Sequence, residues 1–264
     1  MKKKIKCICM IFALSILPSF SQDELYDKIE NALIDIHFGH NLDSAMLVFP
    51  ILEKECMSIN NDTIINCLNS LKASLTFYSE NYSKATPILE EEIKWKESHG
   101  LTRYHYLEDI LMLAQCYLIN DSIGAAEKCL RRAIVNWTDE SGISTIVEST
   151  GTIQNYPAES KLLLLFSGFY ITDIFQTLAI AYEQQGKTTL VPHCYKRAQM
   201  YATALYNKDD DRYYENLILL IQSYIDLGKY SRAKSYLINY QDIPNELESH
   251  EEMKALQEEL ESHH

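Results

Sequence analysis

An all-α fold built from paired helices is predicted by three observations. Eight glycines and six prolines in 264 residues are too few for a sheet protein, which needs a turn roughly every eight to twelve residues. A hydrophobic share of 47% against 23% charged is enough to form a core and argues against overall disorder. One spacing pattern also recurs along the chain: from a first anchor, apolar or small residues follow in steps of +3, +9, +4 and +3. Steps of three and four keep side chains on one helical face, and the step of nine crosses a tight turn into a second, antiparallel helix.

The first element is set apart from the fold. Met1-Lys2-Lys3-Lys4-Ile5-Lys6 is basic, Cys7 to Leu17 is apolar apart from Ser15, and Ser19 and Ser21 precede Gln22. That order of basic, apolar and small residues is a secretory signal, with cleavage expected after Ser21 and a periplasmic or extracellular destination. An uncleaved anchor is the competing reading, weakened by an apolar run too short for a comfortable span. Gln22 stands where a lipoprotein would need cysteine. The leader holds four lysines and no acid, so the mature chain is more acidic than its formal charge of −13, from 37 acids and 24 bases. Such a surface repels phosphate and excludes nucleic acid as the main partner. Five cysteines follow, Cys56, Cys67, Cys116, Cys129 and Cys194, without the spacing of a disulfide framework or zinc site. They are expected as small core residues, with a Cys56–Cys67 bridge as a lesser alternative.

Then come the hairpins. The copies are Leu33, Ile36, Ala45, Phe49, Leu52; Ala73, Thr76, Ala85, Leu89, Glu92; Ala114, Tyr117, Ala126, Leu130, Ala133; Ala179, Tyr182, Val191, Tyr195, Ala198; and Ile221, Tyr224, Ala233, Leu237, Tyr240. Thr76 and Glu92 make the second copy the loosest. The small residue opening each second helix lets the two backbones approach. Gly186 and Gly228, each four beyond its tyrosine, are placed to end a helix in the left-handed conformation, and Asn41-Leu42-Asp43-Ser44 supplies turn and capping groups.

With Gly228-Lys229-Tyr230 ahead of Ala233, the pattern over residues 24–240 resembles the tetratricopeptide repeat. The resemblance implies a right-handed α-solenoid of about five hairpins over residues 22–240, closed by a C-terminal capping helix, and a concave groove for extended or helical peptides. Intervals between the small residues are 40, 41, 65 and 42, longer than the family's usual ~34. An extra turn per helix accounts for forty-odd, and the 65 requires an insertion, placed at Thr138–Pro157. Rich in Ser, Thr and Gly, that stretch is expected as a β-hairpin or loop.

Two elements remain. Leu162 to Tyr182 is apolar enough to imitate a membrane span, but Asp173 near its centre is costly in lipid and the repeat spacing runs through it, so it is read as a buried helix. After Pro244, Asn245–Ser262 is predicted as an amphipathic capping helix with Met253, Leu256 and Leu260 on its stripe.

Chemistry-bearing motifs are sparse. No two glycines are close enough for a phosphate-cradling loop, and no Gly-x-Ser-x-Gly elbow occurs. His37 and His40 flank Gly39 as a weak metal pair only, and His250-Glu251 lacks the second histidine of a zincin. No catalytic residue, cofactor or metal is expected. More informative is a recurring acid: six residues before the first anchors stand Asp27, Cys67, Glu108, Asp173 and Glu215. By the family resemblance this face of the first helix corresponds to the concave groove, and Gln115, Gln176, Glu183, Gln222 and Asp226 are assigned to it. An acidic groove selects basic peptides or proteins and speeds their encounter; the same acids also suit a helix dipole.

The expected function is a non-catalytic protein- or peptide-binding scaffold of the cell envelope, with no stable membrane span after signal cleavage and an oligomeric state left open. Alternatives are a sensory or regulatory repeat module, and an enzyme or enzyme subunit using 138–157 as a lid.

Overall fold

A computed structural model describes residues 20–37, 41–59, 61–101, 106–141, 158–238 and 243–262, with side chains described except at 20–22, 136–141 and 158–169. Most of the leader, His40 and residues 142–157 of the expected insertion lie outside the described residues; 138–141 continue a helix. Among the described residues there are eleven α-helices and no strand. The chain divides into two compact units, Met1–Asp121 and Ser122–His264.

The first unit holds α1 (Phe20–His37), α2 (Leu42–Met57), α3 (Asp62–Tyr78), α4 (Tyr82–Ser98) and α5 (Leu107–Ile119). Consecutive helices pack against each other, and α1 also rests on α3. Ile29, Ile36, Ala45, Leu52, Cys56, Ile64, Leu68 and Leu71 form the α1–α3 core. Helix starts follow from local chemistry: Asn41 Oδ1 accepts from Ser44 N at 3.1 Å, and Asn61 Oδ1 from Thr63 N at 3.0 Å. These bonds satisfy first-turn donors that have no helical acceptor. Cys56 and Cys67 are separate thiols; Cys56 lies in the α1–α3 core and Cys67 near Lys96 of α4.

The second unit holds α6 (Ile123–Ser141), α7 (Ala158–Gln184), α8 (Val191–Leu205), α9 (Arg212–Asp226), α10 (Tyr230–Ile238) and α11 (Glu248–Ser262). Here too each helix packs on the next, and α11 covers both α9 and α10. No helix among the described residues is long and apolar enough to cross a membrane. From Ile171 to Tyr182, α7 buries six hydrophobic side chains besides Tyr182. Glu127 of α6 accepts from Lys187 Nζ at 2.9 Å and Gln185 Nε2 at 3.0 Å, which fastens the end of α7. Met253, Leu256 and Leu260 are buried as expected. Their helix starts at Glu248 rather than Asn245, because Leu247 N first closes a turn on Pro244 O and Asp211 Oδ1 then accepts from Ser249 N and Oγ at 2.9 and 2.6 Å.

The repeat register is visible in the backbone. All five small residues, Ala45, Ala85, Ala126, Val191 and Ala233, are buried near the start of the second helix of their pair. Four beyond Thr76, Tyr117, Tyr182 and Tyr224 stand Glu80, Asp121, Gly186 and Gly228, with φ of 58°, 57°, 71° and 66°. In three of these ends the next amide closes back onto the anchor carbonyl: Asn81 N on Thr76 O at 3.0 Å, Lys187 N on Tyr182 O at 2.8 Å and Lys229 N on Tyr224 O at 2.8 Å. This is the Schellman closure that glycine favours. Glu80 and Asp121 take the left-handed conformation against the preference of an L-residue, so Glu80→Gly and Asp121→Gly are each expected to stabilise by about 1 kcal/mol. Gly186→Ala and Gly228→Ala are expected to lose a similar amount. A Cβ at either glycine meets nothing within 4 Å, so thermal denaturation of the four variants reads the dihedral preference alone.

Candidate functional site

The residues singled out as a groove divide between the two units and meet different fates. In the first unit Asp27 is exposed on α1 and Gln115 is half-buried on α5. Glu108, at the start of α5, contacts His37 Nδ1 at the end of α1 through Oε1. The other ring nitrogen, Nε2, lies 3.3 Å from Ser74 Oγ, and the Tyr78 ring stands edge-on at 5.5 Å. Glu108 thus has an imidazole beside it.

Beside it lies a buried ionic triad that the sequence reading missed. Lys96 Nζ is 2.6 Å from Glu92 Oε1 and 2.6 Å from Asp109 Oδ2, and Ser70 Oγ donates to the same Glu92 oxygen. Glu92 is fully enclosed, and its second oxygen has no hydrogen-bond partner. Burial works against the charge on Lys96, yet Asp109 and Glu92 hold it above the ordinary lysine range. Burial, reinforced by Glu92 and opposed by Lys96, pushes the Asp109 carboxyl up to about 7. Burial also raises the Cys67 thiol to about 12, so this group is protonated and unreactive at neutral pH. The available signal was that Glu92 interrupts a core position with Lys96 one turn on, the spacing at which opposite charges meet on a helix.

The second unit brings six of the candidates together on α7 and α9, the first helices of their hairpins. Gln176 Nε2 donates to Asn216 Oδ1 at 2.9 Å, joining the two helices, and Gln222 Nε2 donates to Asp226 Oδ1 at 2.9 Å. Around this amide link stand Asp173 and Glu215 as one acidic pair, Glu183 and Asp226 as another. Burial, then Glu215, pushes the Asp173 carboxyl up to about 6, against one bond from Thr172 that lowers it. Glu183 is raised by burial and then by Asp226. Glu215 is raised by burial and by Asp211, Asp210 and Glu252, although Arg212 opposes the shift. Tyr195 and Tyr206 border the acids, each pushed up to about 12 by burial first and by these carboxylates in addition.

Arg212, the cation acting on Glu215, is committed elsewhere. Its Nε and Nη2 reach Asp210 at 2.9 and 2.5 Å, and its guanidinium carbon stands 4.4 Å from the Tyr206 ring centre. None of Asp173, Glu183, Glu215 and Asp226 has an ion-pair partner among the described residues. The face is therefore negative, partly desolvated and flanked by tyrosines. Among the described residues no group of three or more His, Cys, Asp or Glu is arranged to hold a metal ion.

No protein-family model matches the chain, and no curated protein matches it either.

Proposed function

We propose that this protein is a non-catalytic binding scaffold that takes up a basic peptide or protein segment on the α7–α9 face. The observation that carries the reading is the pair of carboxylates Asp173 and Glu215, brought together from two helices with no ion-pair partner among the described residues, while Arg212, which acts on Glu215, is bonded to Asp210. A lysine- or arginine-bearing ligand supplies the missing charge, and Tyr195 and Tyr206 provide apolar area with polar tips for its side-chain stems. The hairpin register and the recurring left-handed helix ends support a tetratricopeptide-like, right-handed solenoid of about five hairpins with α11 as its cap. The basic, apolar, small-residue start supports export to the cell envelope.

Binding of a fluorescent peptide of alternating lysine and alanine, followed by polarisation, tests this. The triple variant Asp173→Asn/Glu183→Gln/Glu215→Gln is expected to bind at least about tenfold more weakly, equivalent to ~1.4 kcal/mol. Affinity falls as salt rises. It also falls as pH drops through about 6, because Asp173 takes up its proton there and the face loses charge. An affinity that ignores the triple substitution, or a glutamate-for-lysine peptide that binds as tightly, rejects the proposal.

A further inference from the structure

We propose that the outer face of α2 is a self-association surface, occupied by α2 of a second copy of this chain running antiparallel to it. Of the eleven large hydrophobic side chains exposed among the described residues, four lie on this one helix: Met46, Leu47, Ile51 and Met57. Leu47 is 76% exposed and Met57 70%. The opposite side of α2 carries Ala45, Leu52 and Cys56 into the core, and the apolar outer residues lie outside that core.

At roughly 100° per residue, Asp43, Leu47, Pro50 and Lys54 fall on one line along this face, with Met46 and Met57 to one side and Ile51 to the other. The face is symmetric about the point between Val48 and Phe49. Asp43 mirrors Lys54, Met46 mirrors Ile51, and Leu47 mirrors Pro50. A two-fold axis at that level sets the residues of the central line against each other, Leu47 against Pro50 and Asp43 against Lys54 of the second copy, as an isologous contact requires, with Met46, Ile51 and Met57 flanking them.

The neighbouring charges are used within the chain: Glu53 lies 3.8 Å from Lys72 and Glu55 lies 3.6 Å from Lys28. Asp43 and Lys54 are exposed and have no ion-pair partner among the described residues. They are the charges that a partner copy would satisfy, twice over. A 16-residue helix is about 24 Å long, and one such contact buries less than the ~1,600 Å² of a standard interface. The dimer is accordingly weak, with a dissociation constant of about 1–100 μM. Its residues are not those of the acidic face, and each dimer carries two of those faces for multivalent partners.

Sedimentation velocity of the full chain between about 1 μM and 1 mM, a range that brackets this affinity, tests the proposal. A concentration-dependent passage from monomer to dimer is expected. Leu47→Glu and Asp43→Lys should each weaken it at least about tenfold, since burying a charge or opposing like charges at both ends is unfavourable. Asp43→Lys/Lys54→Asp should restore the wild-type constant to within about threefold, because the exchanged pair is again complementary. Circular dichroism checks that each variant stays folded. The double exchange sets both charges against the dipole of α2, so recovery reports the interface and not helix stability. A chain that stays monomeric throughout overturns the proposal, whether another segment or another partner covers the face. So does a dimer indifferent to Leu47→Glu, or a double exchange no better than Asp43→Lys alone.

Discussion

Lys96→Met is expected to destabilise the first unit by about 3–5 kcal/mol, because it leaves two buried carboxylates without their cation. Lys96 reaches Glu92 and Asp109 at 2.6 Å each, and both acids are buried. The loss should depend on pH with a definite sign. Asp109 already has a folded-state pKa of about 7 against an ordinary 3.8, so the folded protein holds the proton more tightly than the unfolded chain. Stability therefore falls as pH rises between those values. Removing Lys96 raises the carboxylates further and extends the fall to higher pH, so lowering the pH to about 5 should recover much of the loss. Replacing all three residues together by Leu, Met and Leu should restore stability to near the wild type, as for other buried ion clusters. Urea denaturation at pH 5 and pH 8, read by the fluorescence of Trp95, measures each step. A Lys96→Met protein within about 1 kcal/mol of wild type at pH 8 would contradict a desolvated triad.

In the second unit, Leu130→Ala should be destabilising by about 2–5 kcal/mol, and the opposite change nearby, Ala126→Leu, by about 1–3 kcal/mol. Both side chains are completely buried on α6, one turn apart, on a helix that packs against α7. Ala126 is the small residue that opens the second helix of its pair, and added methylenes there have to displace a neighbouring helix. Leu130 fills the space one turn further, and its truncation leaves a cavity that rigid helices close only in part. Loss in both directions at adjacent turns is the signature of a close fit between α6 and α7. Chemical denaturation of the two variants checks it, and tolerance of Ala126→Leu would show that the repeat position has no steric meaning.

Much of the fold was legible because helical spacing is a local property. The steps of three, four and nine placed each helix pair, and scarce glycine and proline agreed with them. Gly186 and Gly228 announced their left-handed turns by residue type, whereas Glu80 and Asp121 take the same conformation without announcing it. Their position in the repeat, four beyond Thr76 and Tyr117, was the available signal. The candidate site was legible only as a position. Asp27, Glu108, Asp173 and Glu215 are alike in register, and nothing in the register separates them.

What separates them is which groups arrive from other helices. The His37 imidazole closes the end of α1 onto Glu108, and the Lys96 cation of α4 reaches Asp109 of α5, so acids of the first unit gain partners from residues distant in sequence. Asp173 and Glu215 meet each other instead, while Arg212 is drawn to Asp210. The sequence by itself determined the all-helical architecture, the hairpin register and the acidic balance, since these depend on residue type and spacing along one helix. Tertiary structure alone decided where charge is neutralised and where it stands open, because electrostatic pairing depends on distances of a few ångströms between segments that only packing brings together.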